Sequence, residues 1–361
     1  MSDRIFYKLQ TSDFRLQTPD FYNMQSEILV KVTRSEIVES VHRGHLIILD
    51  GDGETIANIG NPEIITFIRS SAKPFQILPF LLSGGAERFG FAENEIALAC
   101  GSHSGELIHT ELAAKMLEKA GFNESDLRCG AHAPFNEKCA EELIRAGENP
   151  TQLHNNCSGK HAAMLAFAEH IGADTKTYEL LKNPVQQKIL EMFSAFTETP
   201  NSEIKIGIDG CAAPNFAVSL KAMAKSFAKL VFPPENFDEN LKSACRRIVA
   251  AMINYPELIG GSERLDTRMM CAGRGKFISK IGAEGVWLGG VLPSERWKKG
   301  LGIALKIEDG DDKRARAVVS IEILRQLEIF DAETLNDFSP MLIKNRRGDT
   351  VGRVEADFKI F

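Results

Sequence analysis

From residue 28 apolar and polar positions alternate in short runs rich in β-branched side chains, at 28–33, 37–41, 45–50 and 55–59. A period of two sends successive side chains to opposite faces of a strand. Turn-forming Arg43-Gly44 and Asp50-Gly51-Asp52-Gly53 separate the runs, so the segment reads as an antiparallel meander. The rhythm then changes. Phe75, Leu78, Leu81 and Leu82 recur at helical spacing behind Lys73-Pro74, where a proline suits a first helical turn. Pro79 inside that run is expected to kink it. Further helical stretches run over 93–99, 106–120, 137–146, 160–171, 184–197, 219–230 and 240–253, with a short strand at 204–208. Strands return at 277–281, 285–292 and 302–306, before a helix at 312–327 and a loop-rich tail.

Strands at both ends thus enclose a helical middle. The simplest architecture is α/β of the α+β type: one antiparallel sheet from N- and C-terminal strands, covered by helices, beside a second, mainly helical lobe. The expected division is a leader at 1–25, a sheet-containing lobe from 26–84 and 261–361, and a helical lobe at 85–260. The cleft between the lobes is the natural place for a site.

Composition narrows the function more than the fold. Hydrophobic residues at 43% and charged residues at 25% of 361 supply an ordinary large core. Net charge is −6, and no stripe mixes aromatic and basic residues, so no nucleic-acid partner is expected. Apolar runs such as 77–82 fall far short of the roughly 20 residues that span a bilayer, so no membrane partner is expected either. The first 25 residues lack the apolar core of a secretion signal, which points to a cytoplasmic protein. Seven widely spaced cysteines, an odd number, suit free thiols, metal ligands or reactive groups better than a disulfide framework.

Candidate chemistry gathers at strand–helix turns. Arg69-Ser70-Ser71-Ala72-Lys73-Pro74 carries Ser-x-x-Lys, the spacing of the serine β-lactamases and penicillin-binding proteins. Three residues apart on a helix, Ser70 and Lys73 share a face, and a neutral lysine can take the serine proton. Two other matches, Ser202 with Lys205 and Ser226 with Lys229, lie at a strand start and in an amphipathic helix, where ordinary structural roles suffice. Cys100-Gly101-Ser102-His103-Ser104-Gly105-Glu106 is a small-residue turn ahead of a helix, fit for close approach to a ligand or simply a capped loop. Lys280-Ile281-Gly282 echoes the Lys-x-Gly element of the β-lactamases, or is a solvated edge lysine. His154-Asn155-Asn156-Cys157-Ser158-Gly159-Lys160-His161 is the densest polar run, and Cys157 at the start of a helix is expected to have a lowered pKa. Asp209-Gly210-Cys211 offers a second thiol beside a carboxylate. Two thiols and a nitrogen would suit zinc, although the spacing matches no zinc finger and buried free cysteines are common.

Together these segments resemble the Rhizobium etli-type L-asparaginases, the asparaginase II family. The matching pieces are Arg43-Gly44-His45, Arg69-Ser70 with Lys73-Pro74, Ser102 to Glu106, His154 to His161, Asp209-Gly210-Cys211 with Pro214, and Lys280 with Gly282-Ala283-Glu284-Gly285, in family order from about residue 28 onward. The resemblance implies the serine β-lactamase/glutaminase architecture, a homodimer, and hydrolysis of L-asparagine. It implies two Ser–Lys tandems, Ser70 with Lys73 and Ser102 with Lys280, and a zinc ion held by Cys157, Lys160 and Cys211. Ser70 is then the expected nucleophile. Asp209 and Glu284 are candidates for the substrate ammonium, Arg69 and His161 for its carboxylate. One position departs: where some members carry a further cysteine this chain has Asp266, with Cys271 nearby but out of register. Competing readings are a glutaminase or another serine amidohydrolase, a thiol enzyme using Cys157 with His161, and a non-catalytic zinc-binding protein.

Overall fold

The alternating segments pair as strands in the computed structural model, which describes residues 26–336, 338 and 341–361; the leader at 1–25 lies outside the described residues. The strands are β1 (Glu27–Arg34), β2 (Ile37–Asp50), β3 (Thr55–Ile59), β4 (Ile65–Phe67), β5 (Lys205–Ile208), β6 (Pro214–Ser219), β7 (Phe277–Ile281), β8 (Val286–Val291), β9 (Leu301–Ile307), β10 (Met341–Lys344) and β11 (Thr350–Ala356). The main sheet runs β10-β11-β1-β2-β9-β8-β7, with β3 paired to β2, and every pairing is antiparallel. The fold is therefore the expected mixed α/β class, an antiparallel sheet from both chain ends covered by helices.

Two expectations fail at the sheet. Arg43-Gly44 is not a turn, and β2 is continuous from Ile37 to Asp50. There Gly44 pairs with Glu27 on one side and Ile307 on the other. A Cβ on it would lie 2.4 Å from the Lys306 carbonyl and 2.9 Å from Leu29, so glycine serves close backbone approach rather than reversal. The tail is not loop-rich either: β11 pairs along β1, with Val30 opposite Ala356, and β10 extends the sheet beyond it.

The sheet divides two cores by strand parity. Ile47 and Leu49 of β2, Ala304 of β9, Leu288 of β8 and Ile278 of β7 face the large core shared with the helical region. Leu46, Ile48, Ile303, Leu305, Trp287 and Phe277 face the second, which includes Val319 and Ile323 of helix Ala315–Gln326. Helix Leu220–Val231 packs across β2, β8 and β9 on the first face. The other helices, Glu93–Cys100, Leu107–Lys119, Glu137–Ala146, Ser158–Ile171, Pro184–Thr197 and Glu239–Asn254, lie within two residues of the positions expected from periodicity. Among the described residues no helix is long and apolar enough to cross a membrane.

The segment after Lys73 is more than kinked. It splits into Lys73–Gln76 and Leu78–Leu82, with Pro79 in the first turn of the second. Phe75 anchors the first piece, its ring 5.1–6.3 Å from those of Phe193, Phe196 and Phe227. Such ring pairs contribute about 0.5–1.5 kcal/mol each beyond their buried area, enough to fix so short a helix. A small second sheet, β4-β6-β5, was not foreseen beyond β5 itself. It matters because Arg69 follows β4 and Asp209 follows β5.

Candidate active site

The chain leaves β4 and turns sharply through Arg69–Ala72. Arg69 has φ +54°, a left-handed conformation that costs a side-chain-bearing residue energy and gathers at functional sites. Its amide donates to Asn215 Oδ1 at 3.2 Å, which ties the turn to β6. Ser70 is half-buried and lines a cavity of about 460 Å³. Ser71 points the other way, fully buried, and donates to the Lys280 carbonyl at 2.8 Å. Lys73 is buried, its Nζ donating to the carbonyls of Gly101 and of Asn156, the latter at 3.1 Å. Burial lowers its pKa, with Cys157 opposing. Among the described residues Ser70 Oγ makes no hydrogen bond, so the first tandem is adjacent in chain but not joined.

The second tandem is joined. Gly101 permits the turn into Ser102, because a Cβ there would lie 2.3 Å from the Leu258 carbonyl. The Ser102 amide donates to the Ile259 carbonyl at 2.7 Å, and Ser102 Oγ accepts from Lys280 Nζ at 3.1 Å. Lys280 sits on β7 with the parity of Ile278, so it faces the helical region. It has no solvent exposure, and burial pulls its pKa down to about 7, Asp266 opposing and Lys73 adding to the fall.

Asp266 is the residue that the sequence left without a role. It lies on helix Leu265–Gly273, wholly buried, with Oδ2 3.6 Å from Lys280 Nζ. The same oxygen accepts the Ile281 amide at 3.0 Å, while Oδ1 accepts Ser279 Oγ at 2.6 Å. Ser279 Oγ in turn accepts Trp287 Nε1 at 2.8 Å. Every partner of the carboxylate is a donor.

The sulfurs come together from two turns. Asn155 fixes the first: Oδ1 accepts the Cys157 amide at 2.8 Å, and Nδ2 donates to the carbonyls of Cys129 and Gly130, each at 2.9 Å. Cys211 follows Asp209-Gly210 in the second, next to Ala212 at φ +67°. Lys160 Nζ donates to Cys211 Sγ at 3.0 Å. The expected thiolate is on the wrong cysteine. Hydrogen bonding from Cys157, aided by Lys160 and His161, holds Cys211 far below the ordinary thiol range, burial opposing. Cys157 is pushed well up by the same hydrogen bond and by burial. Position at a helix start loses here to a second thiol and an ammonium aimed at Cys211. All seven cysteines are free.

The cavity gathers six of the residues singled out in the sequence: Arg69, Ser70, Ser102, Cys157, Asp209 and Cys211. Lys73, Lys160 and Lys280 are buried behind its wall. Arg69 and Asp209 pair at 3.0 Å. The other two substrate-binding candidates are not in the wall. Glu284 is exposed beyond it, at φ +62° with its carboxylate beside Gly310. His161 is fully buried, Nδ1 against the Tyr178 hydroxyl at 2.8 Å. Spacing had not pointed to His132, Arg264 or Arg316, which line the cavity together with Asn156 of the polar run. The Asn156 amide donates to His132 Nε2 at 3.0 Å, so the neutral ring carries its proton on Nδ1, 2.7 Å from the Ala133 carbonyl.

A family model described as L-asparaginase II matches residues 30–356. No curated protein is matched by sequence. Among solved structures the chain is similar to a probable glutaminase from Bacillus subtilis complexed with 6-diazo-5-oxo-L-norleucine. Identity there is 14% over 80% of this chain and 85% of that one, with a TM-score of 0.36. It is also similar to Mglu in its native form, at 15% identity over 84% of this chain and 69% of that one, TM-score 0.42.

Proposed function

As a member of the L-asparaginase II family the chain is an amidohydrolase, and we propose that it splits L-asparagine into aspartate and ammonia through a serine acyl-enzyme. The observation that carries this reading is one cavity with two serines on its wall and two buried lysines of lowered pKa beside them. Ser70 Oγ attacks the side-chain amide carbon, and its proton passes to Lys73. Catalytic hydrogen bonds commonly tighten only with substrate bound, which suits a Lys73 that rests on two carbonyls. The C–N bond then breaks, ammonia leaving with a proton relayed through Ser102 and Lys280. Water adds to the ester, aspartate departs, and Ser70 regains its proton.

Arg69 and Asp209 give the substrate's carboxylate and ammonium one fixed charge each, opposite in sign and already paired across 3.0 Å. Purified protein is expected to release ammonia from asparagine with kcat/KM at least about tenfold above that for glutamine, the lower end of what one methylene decides. A preference for glutamine would remove the substrate assignment and leave an amidohydrolase. A second reading makes Ser102 the nucleophile, favoured by its hydrogen bond from Lys280, the tandem that is joined.

We further propose that zinc binds Cys157, Cys211 and Lys160. The donor set fits: two buried sulfurs, Cys157 and Cys211, are close enough to act on each other's protons, and an amine lies 3.0 Å from Cys211. Among the described residues no group of three or more His, Cys, Asp or Glu is placed for a metal; the third donor in this proposal is the Lys160 amine that the family resemblance implies. Cys211 and Cys157 raise the Lys160 pKa against the effect of burial, so coordination requires displacement of its proton. Zinc there would supply a fixed positive charge and Lewis acidity at the cavity wall. Cys157→Ser is expected to lose the stoichiometric zinc that elemental analysis finds in dialysed wild-type protein; wild-type protein without zinc would end this part of the proposal.

A further inference from the structure

We infer that Asp266 is the positioning residue for Lys280, its buried carboxylate holding Nζ against Ser102 Oγ and keeping that amine able to carry a proton. The geometry is over-determined. Lys280 Nζ donates to Ser102 Oγ at 3.1 Å and to the Ile281 carbonyl at 3.2 Å, and Asp266 Oδ2 stands 3.6 Å away as its counter-charge. Asp266 is itself fixed to the strand that carries Lys280, through the Ile281 amide and through Ser279, which Trp287 of β8 braces from the next strand. All four side chains of this chain of contacts, Lys280, Asp266, Ser279 and Trp287, are fully buried.

The charges around Lys280 make the carboxylate necessary. Arg264 acts on it as a cation, as does Lys73 whenever it carries a proton, Cys157 and Cys100 lie near it as thiols, and among these described residues Asp266 is the carboxylate. A wholly buried amine beside cations and without an anion sheds its proton. Ser102 would then face an amine that rests deprotonated and holds no proton to pass on, and departing ammonia would go without its donor.

The inference rests on the amidohydrolase reading only for its kinetic consequence, so it is tested in two arms. In protein labelled at lysine Cε and aspartate Cγ, the Lys280 resonance is assigned with Lys280→Arg and titrated by NMR. In Asp266→Asn, which keeps the shape and removes the charge, its midpoint is expected to fall by at least about one unit, since a buried counter-charge is worth that much. In the wild type, Asp266 Cγ is expected to shift with the same midpoint. Turnover in Asp266→Asn is expected to fall about tenfold or more in kcat with KM within about threefold, the pattern of a group that acts after binding. If Asp266→Asn does not fold, Asp266→Cys is measured with the same expectation. An unchanged Lys280 midpoint in a folded variant, or no Asp266 response in the wild-type titration, overturns the inference. Neither NMR readout needs a substrate. Failure of the wild type to hydrolyse asparagine would count against the proposed function alone.

Discussion

Ser70→Ala is expected to lower asparagine turnover by roughly 10⁴- to 10⁶-fold, the scale of losing a serine nucleophile, with no measurable loss of fold. Ser70 is half-buried and its Oγ makes no hydrogen bond among the described residues, so its removal should change stability by no more than about 0.5 kcal/mol, as at an ordinary surface site. Ser102→Ala keeps the nucleophile and interrupts only proton delivery, worth about 10²- to 10⁴-fold. The two variants thus rank differently under the two readings of the site. Rates from both, with mass spectrometry of the acylated peptide, settle the order. A Ser102→Ala variant that is the more damaged, with the acyl group on the peptide of Ser102, would transfer the attack to the second tandem.

Lys280→Met is expected to destabilise the folded chain by about 3–5 kcal/mol, because it strands a fully buried Asp266 without its counter-charge. The double variant Lys280→Met, Asp266→Asn should recover most of that loss, since neither charge is then left alone. Urea unfolding of the two proteins checks this; equal stability of the single and double variants would show that the pair is not coupled. The pH dependence has a definite sign. The folded-state pKa of Lys280 lies at about 7, below the ordinary lysine value of 10.5. Between those two the unfolded chain binds more protons than the folded one. Stability contributed through this group therefore rises with pH across that window, by up to about 1.4 kcal/mol per unit. Below the window the cost of charging a buried amine is fully present. Lys280→Met should remove this slope.

The sequence was most legible where one local cause dominates. Helices Glu137–Ala146 and Pro184–Thr197 match their expected ends because each has an Asn cap and its own periodicity. The turns bearing Ser70, Ser102, Cys157 and Cys211 stood out as polar and small residues set between apolar runs. Contacts across the chain were not legible by spacing. Lys280 meets Ser102 from a strand 178 residues away, and only the family resemblance paired them. Asp266 looked only like a departure at a position where some family members carry a cysteine, because its meaning depends on helix Leu265–Gly273 lying beside β7. Gly44 looked like a turn because a sequence does not reveal that three backbones converge on it. Cys157 was assigned the thiolate from its helix position, before Cys211 could be placed within reach. Glu284 and His161 had suitable chemistry, but neither lines the cavity.

The order in which the sheet is assembled has a consequence for the newborn chain. β1 and β2 are the first of the described strands to leave the ribosome and can pair with each other, yet Val30 waits for Ala356 and Gly44 for Ile307. At ordinary elongation rates that interval is on the order of tens of seconds. Throughout it, one edge of β1 and much of β2 stand open to any other strand, the condition under which nascent chains aggregate or recruit chaperones. The wait ends only when β11 is translated, so the first of the described strands to be made is also among the last to be sealed.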